Sequence, residues 1–79
     1  MITAYILAKI ETEKEEEIFR RMRELSEVRK ATATFGVYDL VIEVAFERIE
    51  DFDEFLFTKI RSIQGIKETV SMLGAKIIV

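Results

Sequence analysis

The run Val28-Arg-Lys-Ala-Thr-Ala-Thr-Phe-Gly-Val-Tyr-Asp-Leu-Val-Ile-Glu-Val-Ala-Phe-Glu47 decides the fold. Its second part, residues 38–47, alternates with Leu40, Ile42, Val44 and Phe46 on one face. That period of two is the mark of a strand with one buried face. Its first part, residues 28–36, is rich in Thr, Val and Phe, lacks helical spacing and ends at Gly36. It reads as a second strand. A short link with glycine at the bend joins the two, which predicts an antiparallel hairpin in the middle of the chain.

On the N-terminal side, residues 2–10 alternate again, with Ile2, Ala4, Ile6, Ala8 and Ile10 on one face. Thr12 and Glu15 have the spacing of a capping box, and Ile18, Met22 and Leu25 follow at helical intervals beside Phe19. The spacing predicts a helix over 13–26. Acids Glu13, Glu15, Glu16 and Glu17 open it and bases Arg20, Arg21 and Arg23 lie nearer its end, as the helix dipole prefers. On the C-terminal side, Asp51 is the expected cap of a second helix, with Glu54 three residues on. Phe52, Phe55, Leu56, Ile60 and Ile63 form its apolar stripe. Gly65 fits the left-handed position past a helix end, and residues 66–79 read as a last extended segment, bent or bulged at Gly74. Leu25-x-x-Val28 before the second strand is echoed by Ile63-x-x-Ile66 before the fourth. Two such β-α-β halves with right-handed crossovers give an α+β, ferredoxin-like βαββαβ sandwich. A four-stranded antiparallel sheet carries both helices on one face. Residues 1–79 are expected to form a single domain.

Composition bounds the chemistry. The 79 residues carry net charge −3, with neither cysteine nor histidine. Disulfides, a Cys nucleophile, a His-based triad and the usual zinc ligands are thereby excluded, and neither a metal nor a cofactor is expected. No apolar run approaches the length that spans a bilayer, and the first residues lack the basic flank and cleavage site of a signal peptide. A cytoplasmic location without membrane contact is expected. A slightly acidic chain has no electrostatic reason to bind nucleic acid. One third of the residues are charged, Gln64 is the only glutamine and asparagine is absent, a usage that leans toward a thermophilic source.

The sheet face away from the helices is the informative surface. Opposite the core positions of the first strand lie Thr3, Tyr5, Leu7 and Lys9, and opposite those of the third lie Val41, Glu43 and Ala45. A face in water should be mostly polar, whereas Tyr5, Leu7, Val41 and Ala45 put apolar groups near its middle. Scattered surface apolar residues are common. A small chain with a marginal core instead favours burial against a second copy, sheet to sheet, with Lys9 and Glu43 as a charge pair across strands. Phe57 lies off its helix stripe, at the edge of the core or in a further subunit contact.

Thr34-Phe35-Gly36-Val37-Tyr38-Asp39-Leu40 is the most distinctive stretch. Turn chemistry alone explains it: glycine for the bend, and an aspartate that bonds nearby amides. The functional alternative is a grip on a small zwitterion, with Asp39 accepting from an ammonium and backbone N–H groups facing a carboxylate.

Here the sequence resembles a family. Gly36-x-x-Asp39 followed by the strand from Leu40 to Phe46 is similar to the hairpin signature of the Lrp/AsnC effector domain, also called the RAM domain. The opening Met1 to Leu7 and the segment Gly65 to Ser71 also match its pattern, with Thr69 and Ser71 at its two hydroxyl positions. Phe35 stands where the family commonly has threonine, and Thr34 is one residue earlier. The resemblance implies an αβ-sandwich that dimerises through its sheets and assembles into octamers or similar rings. It implies an amino acid effector held between dimers by Gly36, Tyr38 and Asp39, with Thr69 and Ser71 nearby. It covers the effector module only. The chain is therefore expected to be a stand-alone module without a helix-turn-helix, acting in transcriptional regulation of amino acid metabolism, with a DNA-binding Lrp/AsnC relative as possible partner. Two other functions fit the same strand order. One is a dimeric α+β barrel enzyme, for which Lys9, Tyr38, Asp39 and Glu43 are the available groups, without reciprocal acid–base spacing. The other is a purely structural assembly domain.

Overall fold

The computed structural model describes all residues, Met1–Val79. The elements are β1 (Ile2–Ile10), α1 (Glu15–Glu24), β2 (Val28–Ala33), β3 (Leu40–Phe46), α2 (Ile49–Phe55) and β4 (Ile66–Leu73). A 3-10 turn at Thr12–Lys14 leads into α1, and a π-helical segment at Leu56–Ile60 follows α2. The sheet has the order β2-β3-β1-β4, with every neighbouring pair antiparallel. This is the predicted ferredoxin-like arrangement.

Alternation does what it predicts. Ala4, Ile6, Ala8 and Ile10 of β1 and Leu40, Ile42 and Val44 of β3 are buried. Above them lie Ile18, Met22 and Leu25 from the first helix region and Phe52, Phe55, Leu56, Ile60 and Ile63 from the second. Each fully buried Ile or Leu contributes about 1.5–3 kcal/mol of transfer free energy. Phe46, at the end of β3, packs edge-on against Phe52 at 6.1 Å between ring centroids and tilted against Phe55 at 5.3 Å, fixing α2 to the sheet. The core holds no buried polar or charged residue.

The helix ends depart from expectation. The predicted capping box does not form: no side chain caps the start of the 3-10 turn or of α1. The Glu11 amide instead donates to the Gly65 carbonyl at 2.8 Å, and this main-chain tie draws the entry into a tight 3-10 turn. Asp51 is not a cap either. The cap position lies three residues earlier, at Arg48, with the helix beginning at Ile49, and the Asp51 amide donates to the Arg48 carbonyl at 3.1 Å. The second helix widens at Leu56–Ile60, where the Arg61 amide reaches the Leu56 carbonyl at 2.9 Å. Thr58 and Ser62 hydroxyls donate to the carbonyls of Glu54 and Thr58, and such back-bonding competes with the α-helical ladder.

The strands differ mainly in length. β2 stops at Ala33, so Gly36 lies in a six-residue loop rather than at a strand end. β4 stops at Leu73, paired with Ala4, and one further bond, from the Gly74 amide to the Thr3 carbonyl at 2.7 Å, follows it. Residues 75–79 leave the sheet exposed. The irregularity expected at Gly74 lies instead at Lys67, which the pairing of β4 with β1 skips. Gly65 does take a positive φ, +102°, but in the turn entering β4 rather than directly after the helix.

Candidate functional site

The loop at residues 34–39 is built from its own backbone and one carboxylate. The Thr34 amide donates to the Asp39 carbonyl at 2.9 Å, and the Thr34 hydroxyl donates to the Tyr38 carbonyl at 2.7 Å. Gly36 has φ +123°, with open space where a Cβ would stand, so glycine serves torsion here and not close approach. Two bonds fasten the loop to β1. The Asp39 amide donates to the Ala8 carbonyl at 2.9 Å, and the Ile10 amide donates to Asp39 Oδ2 at 3.0 Å. A long-range bond to β1, rather than the local turn bond expected, therefore occupies one carboxylate oxygen of Asp39. Lys9 Nζ lies 5.7 Å from the centroid of the half-buried Tyr38 ring, placing a cation beside the same loop. Phe35 and Val37 project from the tip, both exposed.

Thr69 and Ser71 are on β4, opposite Ala8 and Ile6 of β1. They stand on the helix side of the sheet, Thr69 half-buried and Ser71 exposed. Ala8 joins the two groups: it pairs with Leu40 and Thr69, and its carbonyl takes the Asp39 amide. Gly36, Tyr38, Asp39 and Thr69 thus gather at one end of the sheet, and Ser71 lies one step toward its middle. A cleft of about 400 Å³ beside Thr69 is lined by Arg61, Ile66, Lys67 and Glu68, not by the hairpin loop. Of the five residues, Thr69 alone lines that cleft.

The open face of the sheet is more apolar than its four named residues. Tyr5, Leu7, Val41 and Ala45 are half-buried on it. Register sets Leu7 between Val41 and Val70, and Tyr5 opposite Met72, so Val70 and Met72 extend the patch onto β4. Both are exposed, Met72 at 50%. Their sequence signal is apolar residues in both registers of β4, and only the pairing says which set faces outward. Charges border the patch: Lys30 lies opposite Glu43, and Lys9 opposite Glu68. The expected Lys9–Glu43 pair does not form, because Glu43 faces Tyr5 and Lys30, while Lys9 is four residues further along β1 than Tyr5. Phe57 is 55% exposed, with the Arg61 guanidinium 4.7 Å from its ring centroid.

A family profile described as the Lrp/AsnC ligand binding domain matches residues 3–79. The chain belongs to the Lrp/AsnC family. This family is one of transcriptional regulators. A relative, an uncharacterised HTH-type transcriptional regulator of Pyrococcus furiosus, is 32% identical over 68 residues, covering 86% of this chain and 46% of that protein. The chain spans about half the length of the curated relatives it matches. Among solved structures, the hypothetical protein PHS023 of Pyrococcus horikoshii superposes with a TM-score of 0.88 at 32% identity, covering 98% of this chain and 93% of that one. The Neisseria meningitidis transcriptional regulator NMB0573, solved as a complex with L-Met, superposes with a TM-score of 0.93 at 22% identity, covering 99% of this chain and 52% of that one. That last likeness carries the Lrp/AsnC fold alone. The Pyrococcus sources of the first two agree with the thermophilic composition. No helix is long and apolar enough to cross a membrane.

Proposed function

We propose that residues 1–79 form an effector-binding and assembly module of the Lrp/AsnC type, acting in transcriptional regulation of amino acid metabolism in the cytoplasm. Two copies join through their open sheet faces, Tyr5, Leu7, Val41 and Ala45 at the centre, and the dimers build further into an octamer or similar ring. An amino acid is held at the junction of dimers by Gly36, Tyr38 and Asp39, with Thr69 and Ser71 alongside. The free oxygen of Asp39 accepts from the ammonium, and loop amides face the carboxylate. The module contacts no nucleic acid or membrane itself, and reports its state to a DNA-binding relative in mixed assemblies.

One observation carries this reading: the open face holds an apolar row in register across β3, β1 and β4, namely Val41, Leu7 and Val70, with Tyr5, Ala45 and Met72 beside it and Glu43 as its one interruption on β3, on a chain with a single small core. Support for the ligand class comes from the L-Met complex of a structural neighbour with the same fold. Effector control is then linkage, with the ligand shifting assembly by its differential affinity for the two states.

The test is calorimetric titration of a panel of amino acids, with light scattering on the same samples. An amino acid that binds the native chain should bind Asp39→Asn at least about tenfold more weakly, the loss expected for one charge-assisted hydrogen bond. Its presence should also change the solution mass. Failure of every amino acid to bind, or equal binding to the variant, would refute the site.

A further inference from the structure

The two halves of the fold are quasi-equivalent, and the clefts they build have different chemistry. Val28 donates its amide to the Leu25 carbonyl at 3.1 Å, and Ile66 donates to the Ile63 carbonyl at 3.4 Å, the same turn in each half. Each strand then skips one residue in its pairing, Arg29 in β2 and Lys67 in β4. From that point Ala31 and Ala33 hold the positions in β2 that Thr69 and Ser71 hold in β4. All four face the helix side, since their cross-strand partners Ile42, Leu40, Ala8 and Ile6 are core residues.

The alanines leave the edge of the sheet uncovered. Both are exposed although they face the helix layer. Between α1 and β2 this opens a cleft of about 430 Å³, within the range of small-molecule sites. Phe19, Met22, Val28 and Leu40 line it, and its charged residues are all cationic: Arg23 from α1, Arg29 from the skipped position of β2, and Lys30. Both arginines are exposed, and neither takes part in an ion pair or side-chain hydrogen bond. No carboxylate lines the cleft. An ammonium entering it would find no carboxylate and would be repelled by like charges, whereas a carboxylate would find two arginines whose planar forks match its geometry.

We propose that the α1–β2 cleft is a second ligand site, separate from the hairpin loop, that binds apolar monocarboxylates such as branched 2-oxo acids in preference to amino acids. The carboxylate lies on Arg23 and Arg29, and the alkyl chain lies on Phe19 and Met22 against Ala31 and Ala33. The quasi-equivalent surface of the second half has hydroxyls at the alanine positions, so the site occurs once per chain.

Calorimetric titrations with 4-methyl-2-oxopentanoate and with leucine, run in parallel, test this. The oxo acid should saturate the native chain. The exposed double variant Arg23→Gln/Arg29→Gln should weaken it by about tenfold or more, and Ala33→Leu, which fills the cleft from the edge strand, should abolish it. Leucine should not compete for this cleft, and Asp39→Asn should leave oxo-acid binding unchanged, which separates this result from that of the hairpin site. Circular dichroism checks that each variant is folded. Lack of saturation by the oxo acid, competition by leucine at equal strength, or binding indifferent to the arginine pair would overturn the proposal. So would an Ala33→Leu variant whose solution mass changes while oxo-acid binding persists, a result that assigns the cleft to contact between copies.

Discussion

Gly65 takes a torsion of +102°, and a Cβ built there would lie 2.5 Å from Lys14 Cβ and 2.8 Å from Lys14 Cγ. Two costs therefore coincide at one residue: a backbone conformation that L side chains rarely adopt, and a collision with the first turn of the first helix region. Gly36 carries only the first cost, since nothing stands within 4 Å of its built Cβ. Gly65→Ala should destabilise the chain by about 3 kcal/mol, and Gly36→Ala by about 1 kcal/mol, in urea unfolding. Equal losses would mean that the Lys14 stem moves aside freely. Both glycines stand out in the sequence, but only one role is legible there. The helical spacing ends near residue 63, so Gly65 reads as a helix terminator, whereas its carbonyl accepts from the Glu11 amide far along the chain. Asp39 is similar. Its turn position is plain from Gly36-x-x-Asp39, yet its partner, the Ile10 amide, lies 29 residues away and leaves no local trace.

The elements were legible where apolar periodicity is strong. All five stripe residues of the second helix and all three of the first are buried, because core burial outweighs every local preference. The ends were not legible, because capping is worth only about 1 kcal/mol and a main-chain tie from elsewhere can replace it. At this scale one ion pair links the two helical segments within their layer. Glu27, just after α1, accepts from Lys59 in the π-helical segment, and this bond holds the Glu27 carboxyl below its ordinary value near 4.5. A depressed carboxylate pKa contributes stability that is present above the unfolded value and lost as pH falls through the folded one. The pair is partly exposed, so its worth is that of a surface bridge, about 0.5 kcal/mol. Glu27→Gln should lower unfolding free energy by that amount at pH 7, and the difference should shrink as pH falls below the ordinary carboxyl range and vanish once the native carboxylate is itself protonated. A difference that persists in acid would show that packing of the side chain, not its charge, is what the substitution removes.

At the scale of the whole molecule, topology and surface make one demand. The order β2-β3-β1-β4 puts the two most apolar strands, β3 and β1, inside the sheet and leaves the outer residues Tyr5 and Leu7 of β1 flanked by Val41, Val70 and Met72. Leu7 sits at the centre of that patch and takes no part in the core, so Leu7→Lys should leave the fold intact while charging the face. In a two-fold dimer the same residue occurs twice, and the substitution places two ammonium groups in one apolar seam. Each costs about 2 kcal/mol when desolvated without a partner, so the dimer dissociation constant should rise about a thousandfold. Sedimentation equilibrium should then find the variant monomeric at micromolar concentration, with an unchanged circular dichroism spectrum, where the native chain stays associated. Glu68→Ala, at the border of the patch beside Lys9, should change association far less, because a rim charge remains solvated. A native chain that is itself monomeric at micromolar concentration would remove the seam, and with it the effector site proposed between dimers.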